Sequence, residues 1–405
     1  MSGTPAILLR LSDANDKVSA VDFSSRIMSF EFEDNAKLVD KCVLKLDNSN
    51  LDLFDEARFR LGSRIEVAWG YHGDLTDVRK MRITSIKGWR ELEIEALGFA
   101  IDLNKIARAR RFENMTRSQV VQAIAGEYGL DALVADTAVK YPSIMQPATL
   151  TDAQFLRKLA QQEGYDLWID KDGVHFHPSK WEGAPVAELV YYTGDGAAAG
   201  IVNVRYEEDT KKKKGAVATR SRDPKTKKAV EGSASNDGTK RATLSGVVAA
   251  EAPPADERKK VDKTTGALTK YTAESAMAPT SETNPKAVQR AADAAYRDSQ
   301  RSTVKMTFTI LGDPRVLARR IIRIAGIPQR LVGNYWVAKA KHRIDMSGYL
   351  IDVETKRDGH NGYGARVDIK SKGDLNKKDV DKKTTERVKA VDKTSGESTY
   401  TFRTK

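Results

Sequence analysis

Apolar and polar residues alternate along much of the first hundred residues. Alternation with a period of two is typical of strands that bury one face. Clusters of Gly, Asn and Asp separate the alternating runs, as they do at turns between antiparallel strands. The pattern predicts six strands, at 6–11, 27–32, 42–46, 64–69, 81–86 and 92–97. Six short strands at this spacing favour a barrel or a sandwich.

The pattern becomes helical from residue 114. Thr116 and Gln119 have the spacing of a capping box, and so do Thr151 and Gln154. Apolar residues on one helical face follow each box, and a glycine follows each apolar set. Two short helices are therefore predicted. The next segments, 165–169 and 174–177, alternate around an Asp-Lys-Asp-Gly turn and predict a hairpin.

Between about residues 205 and 300 the chain loses apolar density and gains Lys, Ser, Ala and Pro, and residues 249–254 are interpreted as a loop. Within this segment, Asn284 and Pro285 have the residue types favoured at the start of a helix. Alternation returns at 304–310 and 349–353, which predicts strands. Beyond residue 364 the chain is highly charged and weakly apolar.

Two internal repeats are visible in the sequence. Leu, Arg, Ile and Gly occur at matching positions of Leu61–Gly70 and Leu317–Gly326, and two further strands follow each copy. This order predicts two similar small β-barrels. A second repeat relates 261–272 to 391–401, where Asp-Lys-Thr-Thr/Ser-Gly lies between Thr and Tyr residues, and each copy is predicted to form an exposed polar hairpin.

These patterns predict an α+β fold that is mainly β. Its two similar antiparallel β-barrels, tube-like in shape, are separated by a small inserted domain of helices and a hairpin, and a polar, extended C-terminal region follows. The predicted boundaries are 1–110 for the first barrel, 111–182 for the small α+β domain, 183–210 with 285–360 for the second barrel, 211–284 for a basic insertion or loop with a hairpin, and 361–405 for a charged tail with a hairpin.

The formal net charge of +12 raises the question of nucleic-acid binding. Between Lys211 and Lys228 the chain has nine basic residues and one acid, Asp223. The same run has no Trp, Tyr or Phe on which bases could stack. A solvated loop is therefore favoured over a nucleic-acid surface.

Cys42 is the chain's one cysteine, so an intramolecular disulfide and a cysteine-based zinc site are both excluded. It lies in an alternating strand, where a small buried apolar side chain is expected. Apolar runs are far shorter than the roughly 20 residues that span a bilayer. The N-terminal residues have no export-signal pattern, so we expect folding in a cytoplasm.

Signature motifs of common enzyme classes are absent from the sequence. No His-Glu-x-x-His, Gly-x-x-x-x-Gly-Lys-Ser/Thr or Gly-x-Ser-x-Gly occurs. Gly194-Asp195-Gly196 lacks the complete glycine pattern of a dinucleotide loop and is interpreted as an ordinary loop. No catalytic residue, cofactor-binding residue, metal ligand or cofactor is therefore predicted.

Two residue pairs are candidates for a chemical site. His175 and His177 share one face of a strand and could hold a metal, but no carboxylates cluster around them in the sequence. Glu91 and Glu93 could in principle act as acid and base on a glycan. For both pairs an ordinary structural role is favoured.

One segment resembles a known family. Residues 149–165, which include Phe155-Leu156, Leu159-Ala160 and Gly164-Tyr165, are similar to the polar-x-x-FL-x-x-LA-x-x-x-GY segment of the late control protein D family of phage tail hubs. A similar segment occurs in the hub region of VgrG spikes. Residues 333–337 and 342–349 resemble the G-x-Y-x-V and H-x-x-D-x-x-G-Y strand pair of the same family.

The resemblance implies a structural, non-enzymatic baseplate hub of a contractile phage tail or related injection system. Such a hub would be a homotrimer with tail tube or tube-initiator proteins above it, a spike below it, and wedge or tape-measure proteins as further partners. DNA would pass through its channel without sequence-specific binding, and the protein would be located in the virion baseplate after assembly in the host cytoplasm, with no membrane insertion. Two similar barrels in each of three chains would match a six-fold tube to a three-fold spike.

Two alternatives from other classes stay open at this point. One is a cell-wall hydrolase carried on a tail protein, which peptidoglycan cleavage would reveal. The other is a nucleic-acid-binding module that uses 211–228, for which salt-sensitive binding would depend on that run.

Overall fold

The structure is a computed structural model. It describes residues 3–12, 18–20, 23–37, 39–56, 58–170, 172–178, 181, 183–191, 200–209, 216–222, 226–235, 241–243, 246–248, 276–278, 284–301, 303–358, 386–391 and 398–403. The predicted hairpin at 261–272 and the loop at 194–196 lie outside these residues, as does most of the predicted tail.

The first hundred residues form antiparallel strands, and all six predicted strands are confirmed. Every second side chain of the central strands is buried, because one face of the sheet covers the core. The strands are β1 (Pro5–Ser12), β2 (Val18–Ala20), β3 (Ile27–Asn35), β4 (Lys41–Asp47), β5 (Arg64–Tyr71), β6 (Asp74–Leu75), β7 (Arg79–Gly88) and β8 (Glu91–Gly98).

The next segment contains the two predicted helices. The Thr side chain of each capping box accepts a hydrogen bond from the Gln backbone, and the Gln side chain accepts one from the Thr backbone. Gly164 ends the second helix at φ 68°, where a glycine avoids the strain of a side chain. The elements are β9 (Arg110–Thr116), α1 (Arg117–Glu127), β10 (Ala132–Val134), β11 (Lys140–Gln146), α2 (Asp152–Glu163), β12 (Tyr165–Asp170) and β13 (Gly173–Pro178). The predicted hairpin is confirmed by antiparallel pairing of β12 and β13.

The remainder of the described chain returns to strands and contains one further long helix. Asn284 caps this helix by accepting a hydrogen bond from Lys286 N, as predicted. The elements are β14 (Glu188–Val190), β15 (Ile201–Glu208), β16 (Ala216–Arg222), β17 (Ala229–Ser235), β18 (Arg241–Thr243), β19 (Gly246–Val248), β20 (Ala276–Ala278), α3 (Pro285–Gln300), β21 (Val304–Leu311), β22 (Ile321–Ala325), β23 (Gly333–Asp345), β24 (Gly348–Arg357), β25 (Glu386–Val391) and β26 (Ser398–Arg403). The antiparallel pair β25–β26 agrees with the hairpin predicted for the tail.

The basic run at 211–228, predicted as a solvated loop, contains the regular strand β16, so that expectation was wrong there; β15 lies within 183–210, which was predicted as part of the second β-barrel. Strands β16 and β17 pair with each other and bury small side chains such as Val217 and Thr219. Thr219 Oγ1 donates a hydrogen bond to Val288 O of α3 at 2.9 Å. Small residues suffice because the helix backbone lies close to the strands, and such strands have little apolar signal.

Most strands of the described chain join one 14-stranded sheet. The order along it is β15-β21-β24-β23-β3-β4-β8-β7-β5-β1-β2, with β14, β22 and β6 attached at its sides. The two predicted barrels are therefore continuous with each other through the β3–β23 pair, and the described pairings close no barrel. The mainly β character is as predicted.

The strand order of the sheet is repeated. The first half runs β1-β5-β7-β8-β4-β3, and the second half runs β14-β22-β23-β24-β21-β15, with corresponding strands in the same order along the chain. All five pairings of the first half are antiparallel, and so are four of the five in the second half. The exception is the end pair, which is antiparallel for β1–β5 and parallel for β14–β22. This order agrees with the strand order that the Leu61 and Leu317 repeat predicted.

Two large hydrophobic cores lie in different parts of the molecule. The main core combines residues of both sheet halves, for example Phe32 and Leu44 with Met306 and Ile351. The other core lies among α1, α2 and the strands around them. Within the described residues, no helix is long and apolar enough to cross a membrane.

Candidate functional site

The two residue pairs weighed as chemical sites have structural partners. His175 Nε2 lies 2.8 Å from Asp170 Oδ1, and its ring stacks on Trp168 with centroids 4.5 Å apart. Across the described part of the chain, no group of three His, Cys, Asp or Glu side chains is arranged to hold a metal ion. Glu91 and Glu93 lie 2.9 Å and 4.0 Å from Lys45 Nζ on the neighbouring strand.

Cys42 lies in the main core, as predicted for a small apolar residue. Burial raises the pKa of its thiol to about 12. The thiol therefore stays protonated and unreactive at neutral pH.

The basic run is only partly described. Its described residues include β16, where Arg220 Nη2 lies 2.7 Å from Glu231 Oε1 of the paired strand. This arginine is thus part of a hairpin rather than of a loop. Residues 211–215 and 223–225 lie outside the described ranges.

The joint between the two sheet halves contains charged side chains from both halves. Strands β3 and β23 pair antiparallel from Ser29 opposite Asp345 to Asn35 opposite Lys339. Two ion pairs cross this joint on its outer face. Lys339 Nζ lies 3.0 Å from Glu33 Oε2, and Lys341 Nζ lies 2.8 Å from Glu31 Oε2.

Asp34 is the centre of the buried side of this joint. Its carboxylate accepts hydrogen bonds from Ala318 N at 3.1 Å and from Arg319 Nη2 at 3.0 Å, and Arg79 Nη2 lies 3.8 Å away. Arg319 also donates to the Asn35 carbonyl at 2.9 Å. Charged groups from both sheet halves are therefore held together away from water.

A second carboxyl lies beside this group. Burial, together with the Asp34 carboxylate, raises the pKa of Asp40 to about 7. Asn35 N donates a hydrogen bond to Asp40 Oδ1 at 3.5 Å. The joint therefore contains a carboxyl that gains or loses its proton near neutral pH.

Aromatic side chains fill the space next to the charged group. Trp69 is fully buried, stacks on Phe32 with centroids 4.0 Å apart, and meets the edge of His342 at 5.1 Å. The Tyr349 hydroxyl oxygen lies within hydrogen-bond distance of His342 Nδ1, at 2.7 Å. Burial lowers the pKa of His342 to about 4, so the ring is neutral at pH 7.

The family-like motifs are placed where they shape the fold. Phe155, Leu156 and Leu159 are buried in the core of the small helical part. In the second motif, His342 and Tyr349 form the buried bond at the joint, and Asp345 Oδ1 accepts a hydrogen bond from Ser347 N at the β23–β24 turn. These motif residues contact other parts of the protein.

Strands β15 and β7 of the large sheet each have an open edge in the described structure. Strand β15 ends the sheet order, and its residues 202–208 are exposed. Strand β7 pairs with β5 only as far as Arg82, with loop bonds at Ile83, and this edge is open from Thr84 to Gly88. Exposed strand edges present unpaired backbone groups to a partner chain.

Sequence reasoning did not find the joint, because Asp34 and Arg319 are far apart in the chain. One signal was present. Phe30, Phe32 and Asp34 occupy successive inward positions of the same strand, so a carboxylate stands where alternation calls for an apolar side chain. A charge in that position requires a buried counter-charge.

Several solved structures with a similar fold are phage tail proteins. A tail protein from Neisseria meningitidis MC58 superposes with a TM-score of 0.60 and 15% identity over 87% of this chain and 96% of its own. The 43 kDa tail protein of prophage MuSo2 from Shewanella oneidensis gives 0.58 and 12%, over 88% and 100%. A prophage tail protein from Listeria monocytogenes EGD-e gives 0.51 and 9%, over 88% and 94%. The chain thus has the fold of phage tail proteins.

A family model described as the Alg8 N-terminal domain matches residues 36–346, which is more than half of the chain. The chain belongs to this family. No curated protein matches the sequence. The matched family has a different description from the late control protein D family that the motifs resemble.

Proposed function

We propose that this protein is a structural baseplate hub of a contractile phage tail or a related injection system. In this proposal it is a homotrimer that connects a six-fold tail tube to a three-fold spike around a central channel. The observation that carries the proposal is the repeated strand order of the large sheet, β1-β5-β7-β8-β4-β3 and β14-β22-β23-β24-β21-β15.

The repeat supports a role as symmetry adaptor. A closed ring is built by repeating one patch by rotation. Three chains, each with two similar halves, supply six similar units, and a six-fold partner can contact all of them. The halves differ in the direction of their end pairs, β1–β5 and β14–β22, so a three-fold partner can recognise every second unit.

The joint supports the same role. A hub must hold its two halves at a fixed angle, or the six units would not lie on one circle. The β3–β23 pairing and the buried charges at Asp34 resist rotation of one half against the other. A main core shared by both halves adds to this rigidity.

The proposed role is non-enzymatic and located in the tail baseplate of the virion. Fold likeness to tail proteins supports it, together with the motifs that resemble the late control protein D family. The packing of Glu91 and Glu93 against Lys45 gives no support to the hydrolase alternative. By analogy, the partners would be tube proteins on one side and a spike on the other.

The oligomeric state tests the proposal directly. The full chain is purified, and its mass is measured by native mass spectrometry and by light scattering. We expect a trimer, alone or with its spike, and electron micrographs should show rings with a central hole. A stable dimer, or a monomer that forms no ring even with the co-expressed spike, would contradict the proposal.

A further inference from the structure

Strand β15 is an exposed edge that has large apolar side chains. Val202 is 49% exposed, and Val204 and Tyr206 are each 38% exposed. An edge strand with exposed apolar residues is a site of pairing or aggregation unless another chain covers it. We infer that β15 of one copy pairs antiparallel with the open edge of β7 in a second copy. This inference rests on the proposed hub and specifies the contact that joins its subunits.

The counterpart of β15 in the first half is β3, which is paired on both edges. Ile27 pairs with Leu46 in β4, and Ile201 pairs with Ile310 in β21. Each strand then has a bulge, and the register resumes so that Glu33 of β3 corresponds to Glu207 of β15. These two glutamates lie opposite Lys41 and Lys305, respectively.

The counterpart of β7 in the second half is β23. The first residues of β7 pair with β5, and the first residues of β23 pair with β22. A register shift follows in both strands. After the shift, Lys87 lies opposite Glu93 of β8, and Lys341 lies opposite Asp352 of β24. Lys87 therefore corresponds to Lys341.

The difference between β7 and β23 locates the missing partner. One edge of β23 has two partners in succession. Its earlier residues pair with β22, and its later residues pair with β3. The later part of β7, Thr84 to Gly88, has this same edge open. The strand that would fill it, by the internal repeat, is β15.

The register follows from the joint within the chain. Lys341 lies opposite Glu33 there, so Lys87 would lie opposite Glu207 of the second copy. The two charges are opposite, and their side chains are 62% and 52% exposed in the single chain. Further along, Trp89, which is 65% exposed, would lie opposite Arg205, where a cation can contact the ring.

The partner strand must come from another molecule. In the described sheet, six strands separate β15 from β7, and the two do not pair with each other. A contact between two different edges is head-to-tail, and repeated head-to-tail contacts close into a ring when the rotation allows. The exposed apolar residues of β15 are then covered by a neighbouring strand.

Disulfide cross-linking tests the register. The chain's native cysteine, Cys42, is buried, so introduced cysteines report on the contact. Paired positions on adjacent antiparallel strands lie within the Cα distance that a disulfide spans. We expect Lys87→Cys chains mixed with Glu207→Cys chains to form a covalent dimer on oxidation, and the double variant to form covalent species that end at three copies.

The matched control replaces Lys45 instead of Lys87. Lys45 is also exposed but lies on β4, between two paired neighbours. Mixtures of Lys45→Cys and Glu207→Cys should give little cross-linking. Equal cross-linking in both mixtures would overturn the inference.

The oligomer masses of the cross-linked samples distinguish a failure of the inferred edge contact from a failure of the proposed hub function. A trimer without specific cross-linking overturns the edge contact and leaves the hub proposal standing. Specific cross-linking into open polymers supports the edge contact and contradicts the trimer. Monomers without cross-linking overturn both.

Charge reversal gives an independent readout. Lys87→Glu places two acids opposite each other and should weaken self-association by about tenfold or more. Lys87→Glu combined with Glu207→Lys should restore it, while circular dichroism verifies that each variant is folded. Failure of the double reversal to restore association in folded protein would contradict the predicted register.

Discussion

Asp34 has a buried negative charge that two arginines and a backbone amide stabilise. Its side chain is fully buried, while the neighbouring Glu33 is 26% exposed and pairs with Lys339 on the outer face. The two acids are adjacent on one strand and differ mainly in burial. Removing one partner of a buried ion pair leaves an uncompensated charge, whereas an exposed pair contributes little.

We therefore predict that Asp34→Asn lowers the free energy of unfolding by about 3–5 kcal/mol, because Arg79 and Arg319 lose their counter-charge. Glu33→Gln is the matched control, with an expected loss of at most about 1 kcal/mol. Urea unfolding followed by tryptophan fluorescence measures both. Equal losses would mean that the joint does not depend on the buried charge.

The neutral His342 ring predicts a loss of stability in acid. Its pKa is about 4 in the folded protein and 6.5 ordinarily, so between these values the unfolded chain binds a proton that the folded chain does not. The stability that this group contributes is complete above pH 6.5 and is lost as the pH falls toward 4. The linked loss is about 3 kcal/mol.

The measurement is the free energy of unfolding in urea at several pH values. In His342→Asn the part of the slope between pH 6.5 and 4 that comes from this ring should disappear, although the variant is less stable at pH 7. His72→Asn, at an exposed position, should keep the slope of the unmodified chain. An unchanged slope in His342→Asn would contradict the prediction.

At this scale the sequence predicts burial better than it predicts partners. Alternation correctly placed Cys42 in the core, because the period of two fixes which face a side chain occupies. It could not identify Arg319 as the partner of Asp34, because contacts between distant segments depend on how the halves pack. That His175 and His177 bind no metal remains a prediction.

The capping boxes are the clearest link between sequence and element. Thr151 Oγ1 accepts a hydrogen bond from Gln154 N at 3.3 Å and donates one to Asn104 Oδ1 at 3.0 Å. The cap therefore starts α2 and also ties it to the segment that follows β8.

We predict that Thr151→Ala lowers the free energy of unfolding by about 1 kcal/mol, because backbone donors at the start of α2 lose their acceptor. Gln161→Ala, at an exposed position of the same helix, should change it by less than about 0.5 kcal/mol. Chemical denaturation followed by circular dichroism compares them. Equal effects would show that the cap contributes no stability of its own.

Elements with a strong periodic signal were predicted, and elements without one were missed. The six strands of the first half and helices α1, α2 and α3 have apolar residues at regular spacing or clear caps. Strand β15 lacks this signal because its side chains from 202 to 208 are exposed. Strands β16 and β17 lack it because small residues pack against α3.

The main core contains side chains from both sheet halves, which makes the halves one unit in unfolding. Ile351 of β24 is fully buried in this core, and Ile124 of α1 is equally buried in the other core. Replacing either isoleucine with alanine therefore removes the same buried atoms from each core.

We predict that Ile351→Ala lowers the free energy of unfolding of both halves by about 2–5 kcal/mol. Hydrogen exchange should show the loss of protection at amides of β4 and β8 in the first half as well as at β24. Ile124→Ala should reduce protection mainly in α1 and α2. If Ile351→Ala affected the second half alone, the two halves would be independent.

At the scale of the whole chain, the sequence predicted the duplication but not its geometry. The weak repeat around Leu61 and Leu317 agrees with the repeated strand order. Two separate barrels were expected, because a repeat in sequence does not show whether its copies share hydrogen bonds. The pairing of β3 with β23 joins them into one sheet, and the domain boundaries remain a prediction.

The β3–β23 joint also has a consequence for how fast and how completely a ring could form. Each encounter between separate molecules gives up translational and rotational freedom, at a cost of roughly 4–15 kcal/mol. Six separate units would need five such encounters, while three chains of two units need two. Every second contact of the proposed ring is made within a single chain as that chain folds. The formation of these contacts therefore does not depend on protein concentration.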